Sequence, residues 1–153
     1  MRLARTLISY TAPQHIGGQA QNFPVWQDVI IAQTPDEACI ALYLENGYSR
    51  GEIDRFFAEG AQSFSIYEDG EPVCTCLTYR NFGDIWEIGG VRTIERAQRR
   101  GLARRVVQTA LHALTEQKRI PRYQADSSNL PSIRLAESVG LVTCLRFEHF
   151  ISG

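Results

Sequence analysis

Several features that would define a common protein class are missing from this chain of 153 residues. It has no run of the roughly 18–20 apolar residues that a membrane-spanning helix needs, and no apolar segment of a secretory signal near its start. Its formal net charge is −1, so it lacks the overall positive charge of many nucleic-acid-binding domains. We therefore expect a cytoplasmic protein with no membrane contact, and the charge balance disfavours a nucleic-acid partner.

Cysteine is scarce, and its spacing excludes the commonest cysteine sites. Of four cysteines, Cys74 and Cys76 form a C-x-C pair, and no C-x-x-C spacing of a zinc or redox site occurs. Buried free thiols and no metal are expected. No histidine stands at an informative spacing from a cysteine, so a covalent acyl intermediate is not expected either.

Known nucleotide-binding loops are also absent, as are repeats, low-complexity tracts and linkers. No G-K-[ST] follows a glycine-rich loop, and G-x-G-x-x-G does not occur. Hydrophobic residues make up 44% and charged residues 22% of the chain, which is ordinary globular composition. A single domain over residues 1–153 is predicted, in which residues 1–24 are poorly assigned and appear irregular because of Gly17, Gly18 and Pro24.

The first half of the chain changes from helical to strand periodicity. A helix over 34–47 is predicted, with Thr34 as its cap and Pro35 at its first position. Asp69-Gly70 is a strong hairpin signal. The other elements predicted here are a strand at 25–34, a helix at 49–60, and antiparallel strands at 63–68, 72–80 and 84–93.

The second half returns to a helix, a strand, a helix and a strand. After Gly101 an apolar stripe begins at Leu102, while Gln108 and Thr109 are expected to face away from the core. The remaining predictions are a strand at 122–128, a helix at 129–141 capped by Asn129, and a strand at 141–151. The order predicts an α+β domain with one central sheet.

The stretch "VRTIERAQRRGLARR", residues 91–105, contains six arginines. Three interpretations compete: a solvated helix face, a nucleic-acid patch, or a loop that binds a phosphorylated ligand. Gly101 stands where a strand has ended and a helix begins, and the free N–H groups of a helix start attract anions. A residue without Cβ also lets a ligand approach the backbone. The stretch alone does not decide between the three.

Two motifs in the second half carry a specific resemblance. "Q-R-R-G-L-A" follows the apolar strand, and "N-L-P-S-I-R-L-A-E-S-V-G-L" comes about 25 residues later. Together they resemble the GNAT superfamily of acyl-CoA-dependent N-acyltransferases over about residues 62–151. The matching positions are Gln98, Gly101 and Ala103 in the loop motif and Asn129, Ser132, Leu135, Glu137, Gly140 and Leu141 in the helix motif.

The resemblance implies a fold and a binding mode. The central sheet would be mostly antiparallel, with one splayed parallel strand pair and about four flanking helices, and acetyl-CoA would lie in the gap. The strand backbone would bind the pantetheine arm as an added strand does. The implied cofactor contacts are Val91, Arg92 and Thr93 on the strand, Gln98, Arg99, Arg100, Gly101, Leu102, Ala103 and Arg104 around the pyrophosphate, and Asn129 and Ser132 near the thiol.

Two residues are candidates for proton transfer. Glu87, on the strand that enters the site, could act as the base, and its alternative is a solvent-facing carboxylate. Tyr123 could donate a proton, and its alternative is packing. Many relatives use a tyrosine where this chain has Ala136, and some use a glutamate where it has Gln124, so their mechanism does not transfer directly.

The resulting functional prediction is an N-acetyltransferase that moves acetyl from acetyl-CoA to a primary amine by direct attack. The acceptor could be a small metabolite, an antibiotic or a protein amine. A catalytically silent acyl-CoA sensor or interaction module, and acylation of an aminoacyl-tRNA, stay open as alternatives. The resemblance mildly favours a homodimer.

Overall fold

The computed structural model describes residues 2–152 as one seven-stranded mixed sheet with helices on both faces. The strand order is β2-β3-β4-β5-β6-β1-β7. The strands are β1 (Arg2–Thr11), β2 (Ile30–Ala32), β3 (Gln62–Glu68), β4 (Glu71–Phe82), β5 (Ile85–Thr93), β6 (Ile120–Asp126) and β7 (Val142–Ile151). The helices are α1 (Glu37–Glu45), α2 (Arg50–Ala58), α3 (Leu102–Glu116) and α4 (Leu130–Ser138). The predicted fold class is confirmed.

The prediction of irregular chain before residue 25 is wrong for β1. This strand lies inside the sheet and pairs antiparallel with both β6 and β7. Consecutive residues Ser9 and Tyr10 are both buried, one on each face. A strand covered on both sides loses the polar–apolar alternation by which strands are recognised. Met1 lies outside the described residues.

The two helices after β2 begin later than predicted. α1 is capped by Asp36, whose carboxylate accepts a hydrogen bond of 2.8 Å from the Cys39 N–H, so the assignment of Thr34 as cap is wrong. Asp is as good a cap as Thr, and Asp36 has the extended backbone that a cap residue needs. α2 starts with a capping box between Ser49 and Glu52. β2 fills only three residues of the strand predicted at 25–34.

The three-strand meander forms as predicted. At the β3–β4 turn, Asp69 has a φ of 52° and Gly70 a φ of 79°. Two consecutive left-handed residues define the hairpin turn whose twist matches its strands. β4 then pairs antiparallel with β5 along most of its length.

α3 buries its predicted stripe, but two of its polar residues are also buried. Gln108 is 8% and Thr109 is 1% exposed, so the expectation that they face solvent is wrong. The loop between β1 and β2 covers them. The Trp26 indole N–H donates to the side-chain amide oxygen of Gln108 at 2.8 Å, and the Trp26 backbone N–H contacts the Thr109 hydroxyl at 3.4 Å.

The sheet separates two apolar cores of unequal size. The larger core packs α3 and α4 against one face, and includes Val106 and Leu111. The smaller core packs α1 and α2 against β4, and includes Tyr43 and Ile53. Neither helix pair covers the whole sheet, and the space left beside β5 and β6 forms the site. Among residues 2–152, no helix is both long and apolar enough to cross a bilayer.

Candidate active site

The sheet opens between β5 and β6, which are its parallel neighbours. Paired residues run from Ile85 opposite Ile120 to Ile88 opposite Tyr123. Both strands continue past these pairs, β5 to Thr93 and β6 to Asp126. The two strands therefore splay apart after Ile88 and leave backbone groups of β5 facing a gap, as the resemblance implied.

A cleft of about 1410 Å³ runs through this gap. Pockets for one drug-sized ligand usually measure about 300–1,000 Å³. The larger volume is enough for an extended cofactor and a second substrate together. One wall comes from β5 and the start of α3, the second from β6 and α4, and the third from α2 and the loop before it.

The start of α3 forms an anion site at one end of the cleft. Gly101 precedes the helix with a φ of 75°, and no side chain among residues 2–152 caps the first-turn N–H groups. A Cβ at position 101 would meet nothing within 4 Å, so the space in front of the helix is open. Arg99 is also left-handed, with a φ of 63°. The backbone therefore turns its free N–H groups and the positive end of the helix toward the cleft.

The six arginines divide between this cleft and surface ion pairs. Arg99 and Arg104 line the cleft. Arg96 and Arg100 both contact the Glu68 carboxylate. The other two pair elsewhere, Arg92 with Glu45 at 3.2 Å and Arg105 with Asp28 at 2.7 Å.

Two of the predicted cofactor contacts are therefore not brought to the cleft by their side chains. Arg92 and Arg100 turn toward the acidic residues named above, and neither lines the cleft. Neighbouring side chains of a strand point to opposite faces, and in a loop the local turns set their direction, so sequence adjacency alone does not reveal which of them reach the cleft. The predicted residues that do line it are Glu87, Val91, Thr93, Gln98, Arg99, Gly101, Leu102, Ala103, Arg104, Tyr123, Asn129 and Ser132.

Glu87 lies on β5 at the closed end of the cleft and is only 6% exposed. The Asn81 amide donates to its carboxylate at 2.7 Å, and the Gln124 amide nitrogen is 3.5 Å from the same oxygen. Burial raises the pKa of the Glu87 carboxyl to about 7, although the Asn81 hydrogen bond and the Arg122 charge oppose the rise. The solvent-facing interpretation is wrong. A pKa near 7 is the value that a general base working near neutral pH would have.

Tyr123 lies on β6, across the gap from β5, and its hydroxyl already forms hydrogen bonds within the protein. The hydroxyl donates to the Ser132 carbonyl oxygen at 3.0 Å and lies 2.7 Å from the Ser132 hydroxyl. Its ring packs edge to face on Tyr10. Burial raises the pKa of Tyr123 to about 12, with the Ser132 hydrogen bond acting the other way. These contacts join β6 to α4, and proton donation by Tyr123 stays a prediction.

The start of α4 faces the same gap. Asn129 caps the helix by accepting a hydrogen bond of 3.2 Å from the Ser132 N–H, as predicted. Ala136, at the position of the tyrosine that many relatives use, is fully buried in the larger core. Among the described residues, that position therefore supplies no acid to the cleft.

Sequence reasoning missed part of the third wall. Tyr48, in the loop between α1 and α2, and Tyr79 on β4 both line the cleft. Phe56 stacks on Tyr79 with ring centroids 4.0 Å apart, so it both packs in the smaller core and borders the site. Asn81, whose side-chain amide donates a hydrogen bond to Glu87, is another such position. No local pattern marks these positions, because each is placed by contacts between elements distant in sequence.

The opened parallel pair beside an uncapped helix is the architecture that the resemblance predicted for an acyltransferase. A family model for the GNAT acetyltransferase domain matches residues 37–149, which is most of the chain. The chain therefore belongs to the GNAT acetyltransferase family, and an acyltransferase is the enzyme class that this membership implies.

Solved structures show the same fold at low sequence identity. An acetyltransferase described as of the GNAT family from Novosphingobium aromaticivorans is 20% identical, with a TM-score of 0.75, over 95% of this chain and 63% of that one. A GCN5-related N-acetyltransferase from Sphaerobacter thermophilus is 16% identical, with a TM-score of 0.69, over 96% and 51%. A GNAT-family acetyltransferase from Colwellia psychrerythraea is 13% identical, with a TM-score of 0.70, over 97% and 57%.

These three likenesses establish the fold alone. The chain spans about half to two thirds of the length of those proteins. No curated protein matches it significantly.

Proposed function

We propose that this protein is an N-acetyltransferase that moves the acetyl group of acetyl-CoA to a primary amine. The observation that carries the proposal is that one cleft has an anion-binding site at one end and a proton acceptor at the other. The uncapped start of α3 would take a pyrophosphate at one end, and the buried Glu87 carboxyl would take a proton at the other. An acyl transfer from a nucleotide thioester to an amine needs both.

The residues present fit coenzyme A. The free N–H groups after Gly101, with Arg99 and Arg104, would hold the pyrophosphate by charge-assisted hydrogen bonds of about 1.5–3 kcal/mol each. The backbone of β5 at Val91 and Thr93 would pair with the pantetheine amides, because β6 has separated from it there. Bound in this way, acetyl-CoA supplies an activated acyl group.

Glu87 is the proposed general base. A primary amine is protonated at neutral pH, and only its neutral form attacks a carbonyl. Glu87 would remove the amine proton directly or through water, and the nitrogen would then attack the thioester carbon. Direct attack is favoured because Cys74 and Cys76 are buried, and burial raises the pKa of both thiols. A buried neutral thiol is a poor nucleophile.

The other open interpretations are supported less well. Four of the six arginines are paired with acidic side chains, which does not favour a continuous phosphate-backbone surface for tRNA. A silent acyl-CoA sensor draws support from Ala136, where the resemblance expects an acid. The buried Glu87 carboxyl, whose pKa is raised to about 7, favours catalysis, because a sensor would not need such a group.

The test combines binding and turnover. Calorimetric titration with coenzyme A should show a single site, and acetyl-CoA with a panel of small amines and peptides should yield acetylated product by mass spectrometry. Turnover that is lost in Glu87→Gln, with coenzyme A affinity retained, would support the enzyme. Binding without any acetylated amine would favour the sensor, and an absence of binding would contradict both.

A further inference from the structure

Tyr48 is held in the cleft by aromatic neighbours. It is half-buried in the loop that joins α1 to α2. Its ring meets Phe56 edge to face at 5.9 Å and Tyr79 edge to face at 6.1 Å, both between centroids. The ring is therefore fixed from two sides, although it belongs to a loop, and the direction of its hydroxyl is set by packing.

The Tyr48 hydroxyl is seated against the backbone of β5 where the strands separate. A Cβ on Gly89 would lie 2.3 Å from the Tyr48 hydroxyl oxygen, which is far inside contact distance. The hydroxyl thus fills the space that a side chain at position 89 would need. Gly89 directly follows Ile88, the last β5 residue paired with β6. The hydroxyl consequently lies at the apex of the splay.

A β-bulge in β5 directly follows Gly89. Arg92 pairs with Thr75 and Gly89 with Leu77, so two β5 residues, including Gly90, stand opposite one β4 residue. Gly90 has a φ of 61°, a backbone conformation that favours glycine.

The Tyr48 hydroxyl keeps its proton at neutral pH and is free to donate it into a hydrogen bond. Burial raises the pKa of Tyr48, and the Glu87 charge adds to the rise, while the Tyr79 hydroxyl and the Gly90 backbone act against it. Its nearest side-chain partner is the Tyr79 hydroxyl, at a weak 3.4 Å. In contrast, the Tyr123 hydroxyl is occupied by the Ser132 carbonyl oxygen.

We propose that Tyr48 donates a hydrogen bond to the thioester carbonyl oxygen as that oxygen becomes an oxyanion, an inference that rests on the proposed acetyl transfer. The amine nitrogen forms the C–N bond, and the carbonyl π electrons move to oxygen. Collapse restores the C=O bond and breaks the C–S bond. One ammonium proton passes by way of Glu87 to solvent before the attack, and a second N–H proton passes after it to Glu87 and through water to the departing thiolate. Tyr48 keeps its own proton throughout, as a donor to an oxyanion does.

The first test compares matched tyrosine-to-phenylalanine variants. Release of free thiol from acetyl-CoA is measured with and without the best amine of the panel. Tyr48→Phe should lower kcat by about 100- to 1,000-fold, the effect of removing one oxyanion donor, with coenzyme A affinity changed less than about twofold. Tyr67→Phe removes a hydroxyl that donates to Asp36 and should keep wild-type kcat. A Tyr48→Phe variant within about threefold of wild-type kcat would overturn the inference.

A second pair of measurements separates hydrogen bonding from loss of structure. Gly89→Ala should displace the hydroxyl, and its Cβ would also lie 3.0 Å from the Tyr79 ring. Adding Gly89→Ala to Tyr48→Phe should lower kcat by a smaller factor than adding it to wild type, because the Tyr48 hydroxyl is already absent. The infrared carbonyl stretch of bound ¹³C-acetyl-CoA should lie at lower frequency in wild type than in Tyr48→Phe. Equal frequencies would overturn the role of Tyr48 but not the proposed acetyl transfer. Wild-type protein that neither binds nor turns over acetyl-CoA would overturn the proposed function, and this inference with it.

Discussion

Replacing Glu87 by glutamine tests the chemical centre of the proposed mechanism. Glutamine keeps the size of the side chain and can still accept the Asn81 hydrogen bond, but it cannot take a proton. A positioned general base contributes about 10²- to 10⁴-fold to a rate. The kcat of Glu87→Gln should fall by that factor, while the dissociation constant for coenzyme A, whose pyrophosphate would bind at the other end of the cleft, should not change.

The pH profile supplies a sharper form of the same test. Because burial raises the pKa of Glu87 to about 7, the reactive carboxylate form predominates above pH 7 and falls about tenfold per unit below it. The wild-type kcat/KM should therefore rise between pH 5 and 7 and level off above that range. In Glu87→Gln the residual activity should lose this rise.

Stability should change in the opposite direction to activity. The folded-state pKa of about 7 lies above the ordinary value of 4.5, so the folded protein binds this proton more tightly than the unfolded chain. The stability that the proton contributes is complete below about pH 4.5 and is lost as pH rises to about 7, and amounts to about 3 kcal/mol. Glu87→Gln should thus unfold at higher urea concentration than wild type at pH 8, and at a similar concentration at pH 4.

The surface variant Glu116→Gln is the matched control, since it removes an exposed carboxylate far from the cleft. It should alter neither the rate nor the pH profile. A Glu87→Gln enzyme with wild-type kcat, or a wild-type kcat/KM that stays flat from pH 5 to 8, would refute the reasoning. So would equal stability of the two proteins at pH 8, because the buried charge would then cost nothing.

Three further changes test the anion site and the fold. Gly101→Glu places a carboxylate beside the start of α3 and a side chain at a φ of 75°, so titration calorimetry should detect no coenzyme A binding; wild-type affinity would place the pyrophosphate elsewhere. Arg104→Ala should raise the KM for acetyl-CoA several-fold, and Arg100→Ala, whose side chain contacts Glu68 outside the cleft, should not; equal effects would contradict the division of the arginines. Ser49→Ala removes the capping box of α2 and should cost about 1 kcal/mol in urea unfolding, without changing coenzyme A affinity.

The elements in the middle of the chain could be predicted from the sequence because their turns and helix caps depend on residues that are close together in the chain. The turn at Asp69 and Gly70 and the cap at Asn129 are set by residues adjacent in the chain, and both occur as predicted. β1 was not readable, because burial on two faces removes its alternation. Gln108 and Thr109 were misread for a similar reason: the loop that carries Trp26 covers them from more than 80 residues away.

The candidate site shows the same limit at the level of single side chains. The motif around Gly101 predicted which backbone would face an anion, and the uncapped helix start agrees with it. The motif did not predict which arginines reach the cleft, because Arg100 and Arg92 turn toward acids on other elements. Tyr48 was missed entirely, since its place depends on the missing side chain of Gly89 on a distant strand.

β1 also explains why the cleft depends on more than the two sequence motifs. The family match begins at residue 37, yet β1 lies between β6 and β7 and supplies Arg5 and Leu7 to the cleft wall. β6 has only four paired residues with β5 before the splay and four with β1 on its other side. A strand released by one neighbour needs the other to fix its position, because unpaired backbone groups would otherwise have to find new partners. The opening that would admit the cofactor is therefore braced by a segment outside the matched region.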